Sequence, residues 1–300
     1  MKVQYQDNQR MGVVVYDFNY KTASDQDIQD LKQLIYEYKI VVLKEQDLSP
    51  DEYCDFGYRL GEVEKYYQPM YHHPERAEIF VSSNVSENGQ QVGVPKTGKF
   101  WHADYAFMPR PFAFSMVYPQ LLPSKERGTY FINMSRVYQS LPDDLKAIAN
   151  ESSCYHSVRR FFKIRPKDVY RPISEILDEI ERVTPPAKHP TTFTHPITGE
   201  TILYITEGFT YRIDDLEGKP QDINILQTLL THSGQLDKSF KYPLIEHHEF
   251  ELGDVRIWDN RSLVHCAHYA ANSEPAITFR LTLHDSYPFY STSRLSAVQF

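Results

Sequence analysis

The sequence predicts a mostly β protein with a few flanking helices, its strands closed or sandwiched within a single domain spanning residues 1–300. Two observations predict it. Short strand-like runs are spread over the whole length, at Phe112–Tyr118, Gly128–Asn133, Thr201–Ile205, Asp254–Trp258 and Ala276–His284. Helical periodicity is confined to a few isolated segments, so no βαβ repeat and no domain linker can be written. A composition 41% hydrophobic and 24% charged is that of a soluble globular chain, long enough to bury a sizeable core.

The elements follow in order. Asp25–Tyr38 carries apolar residues at helical spacing, at Ile28, Leu31, Leu34 and Ile35. IVVLKEQ, residues 40–46, reads as a short buried strand. SPDEYCDFGYRLG, residues 49–61, starts a second helix with a Ser N-cap and Pro in the first turn, and Gly61 closes it. Residues 82–99 are polar, glycine-bearing and unpatterned, and read as a flexible loop. A helical hairpin-like insertion near 140–185, built from LPDDLKAIA and PISEILDEIERV, interrupts the strands.

Charge and cysteine usage exclude several classes. A net charge of −8 argues against a nucleic-acid partner, which would require a basic face. No apolar run approaches the ~20 residues needed to span a bilayer, and MKVQYQDNQR lacks the apolar core of a signal peptide. Cys54, Cys154 and Cys266 are too far apart in sequence for a disulfide or thiolate–zinc framework, so a reduced cytoplasmic protein is expected. Oligomeric state is not legible.

FWHADYAF, residues 100–107, puts a histidine and an aspartate two apart among large aromatics. On an extended strand His102 and Asp104 point the same way. They are either a satisfied buried pair or joint ligands of a metal ion. His265, after the strand and turn of FELGDVRIWDNRSLVH, offers a third ligand. Two histidines and one carboxylate form the facial triad of non-haem iron oxygenases, which leaves about three coordination positions open. A structural zinc site would usually close with four protein ligands, and only three can be named. Trp101, Tyr105 and Phe107 would keep such a site dry. Arg280, on the alternating strand AITFRLTLH, needs a carboxylate if it points inward. Thr129, in RGTYF, offers a hydroxyl, and Arg127 shares its face by the period of two. A dicarboxylate that chelates iron at one end and meets a cation at the other explains this set, and 2-oxoglutarate has that shape.

FWHADYAF, RGTYF, THPITGETILYITEGFT, FELGDVRIWDNRSLVH and FRLTLH resemble, in this order, the blocks of the TauD/TfdA family of Fe(II)/2-oxoglutarate-dependent dioxygenases. The resemblance runs from about Phe100 to His284. It implies a double-stranded β-helix, the cupin-like jelly roll, with helices outside. It also implies iron ligands at His102, Asp104 and His265, and a clamp on the distal carboxylate at Thr129 and Arg280. Two departures bear on the substrate. Taurine-type members carry a second arginine four residues past the clamp, where this chain has His284. Asp104 is retained, unlike in the halogenating relatives.

EKYYQPMYHHP, RRFFKIRPKDVYRPISE and PTTFTHPITGE are similar to the isonitrile-forming, ScoE-like branch of the family. That likeness implies oxidation of an N-carboxymethyl 3-amino acid, free or held by a carrier protein, with Tyr66, Tyr67, Tyr71 and Lys163 in the substrate pocket and Arg165 nearby. The branch tends to have a histidine four residues past the last iron ligand. Here Tyr269 stands there, beside His268. Lys163 and Arg165 share a face if their segment is extended, which suits an anionic substrate, whereas Arg159 and Arg160 read as a solvated basic face. His72, His73, His247 and His248 read as surface residues. The alternatives are a hydroxylase or desaturase of another amino-acid-derived carboxylate, and a non-catalytic metal-binding jelly roll.

Overall fold

Both N-terminal helices begin on a serine whose side chain accepts from the backbone three residues on, while an acidic side chain at that position bonds back to the serine N–H. Ser24 with Asp27 caps Asp25–Tyr38, and Ser49 with Glu52 caps Pro50–Leu60. The computed structural model describes residues 1–6, 10–87, 89–125, 127–269 and 274–291. The chain divides into two compact units. The first comprises Met1–Lys99, Phe112–Phe131 and Glu246–Pro288, and the second Phe100–Pro111, Ile132–Ile245 and Phe289–Phe300.

The first unit is built on an eight-stranded sheet. Its order is Lys2–Tyr5, Val13–Tyr16, Ile40–Leu43, Val255–Asp259, Phe114–Leu121, Ile277–His284 and Glu62–Glu64, with Phe80–Ser83 also paired to Ile277–His284. Val13–Tyr16 and Ile40–Leu43 run parallel. A second sheet places Gly128–Asn133 between Ile245–Glu249 and Leu263–His268. Met11, Ile40, Val42, Val117 and Trp258 from the first sheet side pack with Phe131 and Leu263 from the second, which makes one apolar core between the sheets. This is the sandwich of a jelly roll, with helices outside, as the strand pattern predicts.

Beneath the Asp25–Tyr38 helix lies a buried ion pair. Both guanidinium nitrogens of Arg261 meet Asp285 at 2.8 Å, and the Tyr36 hydroxyl donates to the same carboxylate at 2.7 Å. Burial and Asp285 together push the Tyr36 phenol far above its ordinary value.

Two local expectations change. The segment 82–99 is not structureless: Ser86–Glu87 and Gln90–Gln91 pair as a small hairpin, and Ser82 bridges Val94. Gly93 has φ +69° with the Val81 carbonyl 2.4 Å from where a Cβ would sit, so only glycine fits this close return of the chain. His248 is buried, against the expectation of a surface residue, because its strand turns it edge-on to Phe131 at 5.4 Å.

The second unit corrects the helical hairpin. Asp143–Asn150 and Ile173–Val183 form as helices, but the strand Ser152–His156 lies between them in sequence and pairs with Ala187–Pro190 and Thr210–Asp215. SSCYH is too short and too polar to announce itself as a central strand. Its inward side chains form a sealed cluster: Cys154 Sγ is 3.1 Å from His156 Nε2, and the His156 and His189 rings lie 5.5 Å apart. Burial holds both histidines neutral, with His189 pushed down to about 4 and His156 well below its ordinary value. The unfolded chain therefore binds more protons than the folded one between about pH 6.5 and pH 4, so stability falls as pH drops through that window. Thermal unfolding at pH 7, 6, 5 and 4 should show a stepwise fall of Tm that His189→Gln flattens. A flat wild-type profile would contradict the neutral cluster.

Candidate active site

In the second unit His102 sits in a β-bridge and Asp104 opens a turn, so the segment is not the continuous extended strand its spacing suggested. Tyr105 takes φ 61°, the left-handed region that a bulky residue enters only where its surroundings dictate it. The two side chains nonetheless converge. His102 Nδ1 lies 2.8 Å from the Phe100 carbonyl, which can only accept, so Nδ1 carries the proton and Nε2 presents a lone pair. Nε2 is 3.7 Å from Asp104 Oδ1. Two acceptors facing each other, 5% and 3% exposed, repel unless a cation or a proton lies with them.

Aromatics enclose this pair. Phe100 stands 4.8 Å and Phe209 5.9 Å from the His102 ring, Phe107 packs on Phe209 at 4.8 Å, and Trp101, Tyr105 and Phe107 are all buried. Phe161 stacks flat on Phe100 at 3.6 Å, which brings the segment bearing half-buried Lys163 beside the His102 turn.

Arg165 departs from its expected role. Its guanidinium is engaged by Asp168 at 2.7 and 2.8 Å and by Glu179 at 2.9 Å, in a cluster that Arg171 and Lys167 share. The arginines hold both carboxyls well below their usual range. Arg165 therefore organises this surface and is not left to meet a substrate. Arg159 pairs with Glu181 at 3.0 Å, both exposed, and Arg160 bonds the Glu207 carbonyl.

In the first unit His265 lies on the strand Leu263–His268, 5% exposed, with its ring 4.8 Å from Trp258. Cys266, next to it, is buried with the pleat turning it to the other face. Thr129 is buried on the neighbouring strand Gly128–Asn133. Arg280 is half-buried on Ile277–His284, its guanidinium 4.0 Å over the Phe80 ring. Phe80 is also the platform for the tyrosines: Tyr71 stacks on it at 4.6 Å and Tyr66 meets it edge-on at 5.1 Å, with Tyr67 4.7 Å from Tyr66. Burial pushes the Tyr71 phenol up and the Arg280 charge draws it back. Arg280, Tyr66 and Tyr71 thus share one aromatic face. His284 bonds Glu64 at 2.8 Å and packs on Phe112, so it is engaged within the fold.

Arg127 is 7% exposed, with Nη1 donating to the carbonyls of His268 (2.9 Å) and Gly128, and Nη2 to Thr278 Oγ1. Sequence reasoning missed what holds it. Tyr269 covers the guanidinium at 4.1 Å and Phe250 lies 5.3 Å from it. Nothing local in the sequence links residues 142 apart.

Among the described residues no helix is long and apolar enough to cross a membrane. The chain matches the sequence profile of the taurine catabolism dioxygenase TauD, TfdA family over residues 4–282, which takes in residues of both units. Pentalenolactone F synthase of Streptomyces arenae is 27% identical over 85% of this chain and 86% of its own length. The alpha-ketoglutarate-dependent 2,4-dichlorophenoxyacetate dioxygenase of Cupriavidus pinatubonensis is 26% identical over 80% of this chain and 82% of its own. Among solved structures, a taurine dioxygenase from Burkholderia xenovorans superposes with a TM-score of 0.73 at 20% identity, covering 98% of this chain and 92% of that one. A structure of AAD-2 in complex with Mn(II) and N-oxalylglycine superposes at 0.74, also at 20% identity, covering 96% and 100%. These two likenesses are of fold, and they agree with the jelly roll described above. With the profile matched over nearly its whole length, the chain belongs to the TauD/TfdA family of Fe(II)/2-oxoglutarate-dependent dioxygenases.

Proposed function

We propose that His102, Asp104 and His265 hold Fe(II), and that Arg280 and Thr129 clamp the distal carboxylate of 2-oxoglutarate. The observation that carries this reading is the pair of buried acceptors, His102 Nε2 and Asp104 Oδ1, turned toward each other with the imidazole tautomer locked by Phe100. His265, buried on its own strand, would supply the second imidazole that the family likeness assigns to this donor set. Two imidazoles and one carboxylate fit iron with positions left for cosubstrate and oxygen. When bound, Fe(II) and 2-oxoglutarate supply the oxidising chemistry. The chain's own residues bind, orient and exclude water: the Phe100 carbonyl fixes the His102 tautomer, and Phe100, Phe107 and Phe209 close the site to solvent.

For the substrate we propose an N-carboxymethyl 3-amino acid, short or fatty, oxidised to the 3-isocyano acid. Support comes from the ScoE-like segments, from Tyr66 and Tyr71 gathered on the Phe80 face with Arg280, and from Lys163 on the segment that stacks against Phe100. The engagement of His284 by Glu64 speaks against a sulfonate anchor there. The balance is R–NH–CH2–COOH to R–N≡C plus carbon dioxide, with loss of four electrons and four protons. Two molecules of oxygen take these up as two of water while two molecules of 2-oxoglutarate become succinate and carbon dioxide. A second reading, hydroxylation of another carboxylic acid, is favoured by the relative named for 2,4-dichlorophenoxyacetate.

The test has two stages. Anaerobic Fe(II) and 2-oxoglutarate should produce the weak visible charge-transfer band of the chelate, and no band with no succinate in air would end the oxygenase reading. With the N-carboxymethyl substrate, a tetrazine should trap isonitrile at two succinates per product, and Lys163→Ala should lose turnover while keeping the band. A hydroxylated product that retains its carboxylate would select the second reading.

A further inference from the structure

The peptide group that joins Phe100 to Trp101 is held on both sides. Its carbonyl accepts from His102 Nδ1 at 2.8 Å, and its N–H donates to Glu207 Oε2 at 3.3 Å. A planar trans peptide points these two groups in opposite directions, so it stands between the imidazole and the carboxylate. The other Glu207 oxygen, Oε1, accepts from Lys238 at 2.6 Å. Lys238 is exposed, whereas Glu207 is only 9% exposed. A row of hydrogen bonds thus runs from a surface ammonium, through a buried carboxylate and one peptide, to His102.

The surroundings fix each link. The Glu207 N–H donates to the fully buried Gln235 at 2.7 Å, and the Glu207 carbonyl accepts from Arg160 at 3.2 Å. Gly208 donates its N–H to the Trp101 carbonyl at 2.9 Å, and a Cβ on it would stand 2.3 Å from the Phe100 ring, so only glycine allows this approach. Phe209 then meets the His102 ring edge-on at 5.9 Å. Glu207–Phe209 therefore grips Phe100–His102 residue by residue. Shape alone does not require a charge here, because any neutral acceptor would satisfy the Trp101 N–H. A carboxylate is costlier to bury than an amide, and what it adds is charge.

That charge acts in a definite direction. A carboxylate accepting from the N–H leaves more negative charge on the Phe100 oxygen and strengthens the bond from His102 Nδ1–H, since linked hydrogen bonds polarise one another. An imidazole that gives its Nδ1–H to a stronger acceptor presents a more basic Nε2. We infer that Glu207 is a positioning residue for His102, which makes Nε2 a stronger metal donor through the Phe100–Trp101 peptide, while Lys238 sets how much of the carboxylate charge is felt. This rests on the proposed reading of His102 as an iron ligand and deepens it.

The test separates charge from shape. Glu207→Gln keeps an oxygen for the Trp101 N–H and removes the charge, whereas Glu207→Leu removes both. With isotope-labelled histidine nitrogen, the Nδ1–H proton resonance of His102 in the metal-free protein reads the strength of its bond to Phe100, and its loss in His102→Gln assigns it. Glu207→Gln should move this resonance upfield. Lys238→Met, which leaves the carboxylate unneutralised, should move it downfield, a reversal that a purely structural role would not produce. Calorimetry with Mn(II) should show binding that His102→Gln abolishes. Glu207→Gln should weaken it about threefold and Glu207→Leu about tenfold, at or below the low end for partners that touch a ligand directly. Glu207→Gln is nearly isosteric, so the outcome does not depend on whether Glu207→Leu folds. An unmoved resonance in Glu207→Gln and Lys238→Met would overturn the inference, as would equal Mn(II) affinity in wild type and Glu207→Gln. A wild-type protein that binds no Mn(II), or binds it equally after His102→Gln, removes the iron reading and this inference with it, whereas normal wild-type binding with unaffected Glu207 variants removes the inference alone.

Discussion

Arg280→Leu is expected to raise the KM for 2-oxoglutarate about 10- to 100-fold, with iron binding intact. The guanidinium is half-buried over Phe80, so its contribution is that of a charge-assisted hydrogen bond, about 1.5–3 kcal/mol. Leucine removes the cation together with the group stacked on Phe80, so retained iron binding serves as the control for lost packing. Thr129→Val, isosteric and equally buried, should cost less, about 1 kcal/mol for one lost hydrogen bond. Anaerobic titration of the charge-transfer band measures both affinities directly. If Arg280→Leu binds 2-oxoglutarate like the wild type, the clamp is not at Arg280, and Arg127 becomes its principal cation.

Arg261→Leu should destabilise the fold by about 3–5 kcal/mol without touching the iron site directly. Arg261 is 1% exposed and gives both ends of its fork to Asp285, 8% exposed, while Tyr36 completes the carboxylate. Removing the arginine leaves a buried carboxylate with only two neutral donors, the Tyr36 hydroxyl and the Tyr287 N–H, which is the expensive way to break such a pair. Replacing both members, Arg261→Leu with Asp285→Leu, should restore part of the loss, since no uncompensated charge remains. Denaturant unfolding followed by tryptophan fluorescence and circular dichroism gives the numbers. A single mutant within about 0.5 kcal/mol of the wild type would mean that the pair contributes nothing beyond filling space.

The outcome of these experiments depends on features that differ in how they are encoded. The apolar spacing of Asp25–Tyr38 and the Ser49 cap of Pro50–Leu60 are local features, so sequence alone locates both helices. Strand runs such as Gly128–Asn133 and Ile277–His284 are long and β-branched enough to be read without their partners. The family blocks likewise single out His102, Asp104, His265, Thr129 and Arg280 as residues of interest, because the chemistry demands particular side chains in a particular order.

What those side chains meet is decided by the tertiary structure. Nothing local says that Glu179 will join Asp168 on Arg165, that His284 will bond Glu64, or that Tyr269 will cover Arg127. A charge in sequence has many candidate partners, and only the packed sheet chooses among residues 142 or 220 positions apart. SSCYH shows the same limit for backbone: its strand exists because Ala187–Pro190 and Thr210–Asp215 flank it, not because its residues prefer one. His102 and Asp104 show it most clearly. Sequence spacing alone set the two side chains together on a strand, but they meet where a β-bridge passes into a turn, with the Phe100 carbonyl fixing the proton on His102 and Tyr105 held at positive φ by its packing. The sequence determined which groups this protein has for its chemistry. Burial and long-range pairing determined which of them remain available to perform it, because an ionic or polar group taken out of water must bond the neighbour that the fold provides.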